Sequence, residues 1–146
     1  MIIISACLLG VNCKYSGGNN KIQELEDLMK KEVLIPVCPE QLGGLETPRM
    51  PSEIIVKNGR KYVVDKNGND LTIQFLKGAE ETLKIVNMFN IKEAIFKSNS
   101  PSCGCGRIYD GTFSGRLVEG DGITSALLKA NNIKIFNEIN YLDKLK

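Results

Sequence analysis

The sequence predicts an α/β fold: a single three-layer domain over residues 1–146, with a mainly parallel Rossmann-like sheet and an inserted β-hairpin. Three observations predict it. Short apolar runs alternate with segments of helical periodicity, the order that builds parallel strands joined by crossover helices. An Asn-Gly pair between two β-rich runs marks a hairpin that stands outside this alternation. The 146 residues, 42% hydrophobic and 25% charged, suffice for one packed core, and no linker, repeat or low-complexity tract divides them.

Residues 1–7 and 33–38 are continuous apolar runs of the kind that form strands buried on both faces. Between them, Ile22, Leu25, Leu28 and Met29 recur every three or four residues, so residues 21–31 are expected as an amphipathic helix. Strand, helix and strand in this order imply a parallel pair with a right-handed crossover. Residues 53–57 and 61–65 flank Asn58-Gly59-Arg60 and form the predicted hairpin, a surface that covers the site or pairs two copies of the chain. A second Asn-Gly pair follows at Asn67-Gly68.

Residues 70–90 carry the longest helical pattern, with Leu71, Phe75, Leu76, Ala79, Leu83, Val86 and Met88 expected largely on one side. Residues 91–97 return as a third core strand, and residues 98–120, rich in Ser, Gly and Asn, are expected as loop. A last crossover helix over 123–131, a fourth strand over 133–136 and a short helix from Tyr141 complete the expected fold.

Composition excludes several functions. The net charge of +2 comes from scattered basic residues, too weak for a surface that binds a nucleic acid polymer. No apolar run approaches the roughly 20 residues that span a bilayer, and residues 1–7 lack the basic segment of a signal peptide. A lysine-rich chain of this kind is expected in the cytoplasm. It contains no histidine, which removes Ser-His and Cys-His catalysis, histidine-ligated metals and histidine general bases. No phosphate-binding glycine motif of the G-x-x-x-x-G-K-[ST] or strand-linked G-x-G-x-x-G type is present.

Five cysteines leave one over from any closed disulfide framework. Three of them, Cys7, Cys38 and Cys103, lie where predicted strands end or just beyond, each beside turn-rich sequence. Ligands of open parallel sheets bind beyond the carboxyl ends of the strands. Thiolates are soft donors that select zinc, copper(I) or iron–sulfur clusters, and these wide spacings do not match a compact zinc finger. Three distant thiolates suit a cluster with one iron left open. Taken singly, Cys7 or Cys38 also reads as a small core residue. Cys13 and Cys105 read as spectators.

Glu40 follows Cys38 across Pro39 and is the leading acid/base candidate, with Glu46, Glu53 and Asp110 behind it. Ser98, Ser100 and Ser102 precede Cys103 in a stretch that serves either turn formation or contact with a substrate. Lys14, Arg49 and Lys97 are candidates for an anionic group.

These motifs together resemble a known family. Ser5-Ala6-Cys7-Leu8-Leu9-Gly10 is similar to its first signature, and Cys38-Pro39-Glu40 with Gly43-Gly44-Leu45 and Pro48-Arg49 to its second. Ser100-Pro101-Ser102-Cys103-Gly104, then Ile108-Tyr109-Asp110-Gly111 and Phe113-Ser114-Gly115, is similar to its third. On these motifs the chain resembles the thiouracil desulfidases from the first residues to about Leu128; it departs from them at Ser16, where relatives often carry an acidic residue. The resemblance implies a [4Fe-4S] cluster on Cys7, Cys38 and Cys103, with one iron not ligated by protein. It implies non-redox removal of sulfur from a small thiolated nucleobase such as 2-thiouracil, releasing sulfide. Glu40 would move protons and Ser100 would assist. A zinc- or thiol-based binding module and a persulfide carrier are the competing readings.

Overall fold

The computed structural model describes residues 1–146. In chain order the elements are β1 (Ile2–Ser5), a 3-10 turn (Ala6–Leu9), α1 (Gln23–Leu28), β2 (Leu34–Val37), α2 (Pro39–Leu42), β3 (Ser52–Lys57) and β4 (Arg60–Asp65). These are followed by α3 (Thr72–Met88), β5 (Glu93–Phe96), β6 (Arg107–Tyr109), β7 (Leu117–Glu119), α4 (Ile123–Ala130), β8 (Lys134–Asn137) and α5 (Glu138–Leu145).

The central sheet has the order β2-β1-β5-β8, and every pair in it is parallel. From β1 the chain first adds β2 on one side and later crosses over to β5 on the other. The switch point between β1 and β5 opens a crevice at the carboxyl edge of the sheet. Pro36 is accommodated because β2 is an edge strand, where a missing N–H breaks no central ladder.

Alternation along β1 builds the three layers. Ile2 and Ile4 pack with Leu25, Leu28 and Tyr141 on the α1/α5 face, whereas Ile3 packs with Val86, Phe96 and Leu128 on the α3/α4 face. Each such buried side chain stabilises the fold by roughly 1.5–3 kcal/mol, enough for strands of only four residues to anchor the middle of the sheet.

The sequence expectation for α3 needs correction. Phe75, Ala79, Thr82 and Val86 form its buried stripe, while Leu76 and Met88 are 48% and 72% exposed. Thr82 is admitted to the stripe because its hydroxyl donates to the carbonyl of Gly78 (2.7 Å). The segment 98–120 is not simply loop, since β6 and β7 pair within it as a small antiparallel sheet. The final helix starts at Glu138, ahead of Tyr141, because Asn137 and Asn140 form a reciprocal capping box.

The β3–β4 hairpin forms as expected, with Asn58 and Gly59 both at positive φ in its turn. Two glycines set the position of α2. A Cβ on Gly43 would overlap the carbonyl of Gln74, and one on Gly78 would overlap the carbonyl of Pro39. Backbone therefore rests on backbone between α2 and α3. That contact holds the turn bearing Cys38 and Glu40 against the rest of the fold.

No helix is long and apolar enough to cross a membrane.

Candidate active site

A cavity of about 480 Å³ opens at the carboxyl edge of the central sheet. Cys7, Cys38 and Cys103 all line it, together with Glu40 and Ser100. Each arrives from a different strand. Cys7 sits in the 3-10 turn after β1, Cys38 caps α2 directly after β2, and Cys103 ends the loop after β5.

Cys13, read from sequence as a spectator, also lines the cavity and is buried. The Cys13 thiol is the largest influence on Cys7 and on Cys38, lowering both to about 7 against the opposing effect of burial, and the Cys38 thiol donates to the Cys13 carbonyl at 3.6 Å. Asn20 adds a hydrogen bond to Cys7 Sγ (3.4 Å). Both are lowered through the same neighbour, so the lowered values describe Cys7 and Cys38 as a pair and not two independent thiolates. Cys13 itself is shifted strongly upward, first through its bond to Cys38. Burial pushes Cys103 up, with hydroxyls of Ser5 and Ser102 pulling the other way. Cys105 does not line the cavity; its thiol faces the carbonyl of Ile135 at 3.9 Å.

The donor set fits a cluster better than a single ion. No three His, Cys, Asp or Glu side chains converge closely enough to hold one metal ion. A tetranuclear cluster takes each thiolate on a different iron, so its donors stand further apart than donors sharing one ion. Soft sulfur donors in a chain without histidine match that requirement.

Glu40 lies at the centre of a polar relay. Arg49 Nε donates to its Oε1 (3.1 Å) and Ser102 Oγ donates to its Oε2 (2.8 Å). Ser100 Oγ accepts two backbone amides, Ser102 N (3.1 Å) and Cys103 N (3.0 Å), and lies 3.0 Å from Ser102 Oγ. Those amides use both lone pairs of Ser100, so its proton points to Ser102. The relay therefore runs in one direction, from Ser100 through Ser102 to Glu40. Ser102, not singled out from sequence, is the serine that touches the carboxylate.

Arg49 also donates to the carbonyl of Cys13 (2.9 Å) and to Thr47 Oγ1 (2.9 Å), tying the second motif to the loop that follows the first. Its side chain is only 9% exposed, against 15% for Glu40.

Ser98 and Lys97 also line the cavity but are engaged by Glu138. Lys97 Nζ and Ser98 Oγ both donate to Glu138 Oε1, at 2.9 and 2.6 Å. Burial alone would raise the Glu138 carboxyl, but donation from Ser98 and Lys97 outweighs it and the net shift is downward. This network pins the start of the loop after β5 to α5. Lys97 N–H in turn donates to Ser5 Oγ (2.9 Å), which ties the ends of β1 and β5 together beneath the cavity.

The other candidates separate clearly. Lys14 and Glu53 line the cavity, whereas Glu46 and Asp110 do not. Asp110 accepts from the backbone N–H (2.9 Å) and hydroxyl (2.6 Å) of Thr112 in an exposed turn.

A profile of the 2-thiouracil desulfurase family matches residues 2–140. An uncharacterized Bacillus subtilis protein, YbbK, is 41% identical over 144 residues, covering 94% of this chain and 95% of that one. A solved structure described as a [4Fe-4S]-dependent thiouracil desulfidase is 40% identical and superposes with a TM-score of 0.88, covering 97% of this chain and 93% of its own. The chain belongs to the 2-thiouracil desulfurase family.

Proposed function

We propose that the chain removes sulfur from a small thiolated nucleobase such as 2-thiouracil, and that Cys7, Cys38 and Cys103 hold a [4Fe-4S] cluster with one iron free of protein ligand. The observation that carries this reading is the meeting of three strand-end thiols with the Ser100–Ser102–Glu40 relay around one cavity. When bound, such a cluster supplies a soft, open Lewis acid suited to a thiocarbonyl sulfur.

The overall conversion is thiocarbonyl plus water to carbonyl plus hydrogen sulfide. Water supplies the oxygen and both protons, and no electron is transferred. The chain's task is proton movement. Glu40, oriented by Arg49, takes a proton from the attacking water and returns one to the departing sulfur. Glu40 itself lines the cavity; Ser102 orients its carboxylate by donating to Oε2, and Ser100 holds Ser102 in place. Lys97 and Glu138 hold the serine loop in place without touching the relay.

The test is anaerobic reconstitution followed by incubation with 2-thiouracil, measuring uracil and sulfide without added reductant. Equal amounts of both are expected. Unchanged 2-thiouracil from iron-loaded protein overturns the reading.

A further inference from the structure

Consecutive residues of a strand face opposite sides, yet Glu53 and Ile54 of β3 are both buried. Ile54 joins a small core with Val63, Phe75 and Ile108. Glu53 therefore faces away from that core, and it lines the cavity. Its Oε1 accepts two backbone amides from the loop after β6, Gly111 N (2.9 Å) and Phe113 N (3.1 Å).

Those bonds clamp the loop onto the hairpin. Gly111 has a φ of 92°, and a Cβ there would lie 2.7 Å from the carbonyl oxygen of Ile54. Phe113 has a φ of 56°, a conformation that a bulky residue adopts only when its surroundings enforce it. Phe113 lines the cavity, as does Tyr109 at the end of β6.

The second carboxylate oxygen of Glu53 has no protein partner. It is not sealed away either, since the buried unpaired side-chain atoms are Glu93 Oε2 and Thr124 Oγ1. Neither ion pair at the site, Arg49–Glu40 or Lys97–Glu138, includes Glu53. A carboxylate only accepts hydrogen bonds, so a cavity that Phe113 also lines presents one free acceptor.

We propose that Glu53 and Phe113 determine substrate specificity: Glu53 Oε2 accepts a ring N–H of the bound heterocycle, and Phe113 stacks on its plane. This rests on the desulfidase reading and narrows it to planar thiocarbonyl rings that carry an unsubstituted N–H. Glu40 performs the proton chemistry and Glu53 reads the ring.

The experiment measures binding of uracil and of 1,3-dimethyluracil to the reconstituted protein by saturation-transfer NMR. The wild-type chain should bind uracil roughly ten- to hundredfold more tightly, the worth of a hydrogen bond to a charged acceptor. Glu53→Gln turns a donor toward the ring and should remove the preference. Phe113→Leu should weaken both ligands alike. Equal wild-type affinity for the two rings overturns the proposal without any variant, as does a preference that survives in a folded Glu53→Gln. Sulfide release from 2-thiouracil is scored separately. Release without ring discrimination sinks the specificity assignment alone, and no release sinks the desulfidase reading.

Discussion

Ser102 Oγ donates to Glu40 Oε2 at 2.8 Å, although 62 residues separate the two in sequence. The bond joins the loop after β5 to the turn after β2 across the switch point of the sheet. Glu40→Gln keeps the shape of the acceptor but removes its basicity. Sulfide release should fall roughly 10²- to 10⁴-fold while iron content is retained. Ser100→Ala, Ser102→Ala and the double variant should be non-additive, because both hydroxyls serve one relay. Additive losses across that cycle would contradict the directional relay.

Arg49 is the cation paired with Glu40. Arg49→Ala strips a nearly buried carboxylate of its cation and leaves the carbonyl of Cys13 with only the weak donation of the Cys38 thiol. Breaking a buried pair from one side costs about 3–5 kcal/mol, far above the value of a surface pair. Denaturant unfolding of the cluster-free protein should show a loss in that range. A loss below about 1 kcal/mol would show that the pair is effectively solvated.

Gly78 is needed for its missing side chain. Gly78→Ala forces a Cβ into the carbonyl of Pro39, a rigid backbone atom that cannot rotate aside. Stability should drop by roughly 1–3 kcal/mol through overpacking, outweighing the gain in helix propensity. The turn bearing Cys38 and Glu40 would shift with it, so cluster retention should fall as well. A melting temperature equal to that of the wild type would contradict the close contact.

The thiols give a pH prediction in cluster-free protein. Lowered values mean that the reactive thiolate is populated above about pH 7, where an ordinary cysteine, at 9.0, is still a thiol. Alkylation by iodoacetamide under argon should therefore rise through about pH 7 and map to Cys7 or Cys38, one per chain. Cys103, pushed upward by burial, should stay unmodified. A midpoint near 9 would remove the role given to the Cys13 S–H.

Much of this was legible from residue order. The apolar runs and the Asn58-Gly59 turn announce the sheet and hairpin, and the strand-end placement of Cys7, Cys38 and Cys103 follows from the same runs. Cys13 was not legible as part of the site, because the loop after Cys7 folds back over it through contacts that local pattern does not encode. Ser102 could not be told from Ser98 and Ser100 without the tertiary approach of Glu40. The β6 and β7 strands are three residues each, too short to show a period of two among glycines and serines. The early start of α5 depends on a capping box built from two asparagines, not the usual Ser or Thr with Glu.

The central claim is that three thiols from three strand ends hold one cluster. Anaerobic reconstitution with iron and sulfide, followed by analysis of both, tests it most directly. The expected product is brown, with broad visible absorption and about four iron and four sulfide per chain, and it loses both when Cys103 is replaced by serine. A colourless protein without iron, or one binding a single zinc per chain, would contradict it.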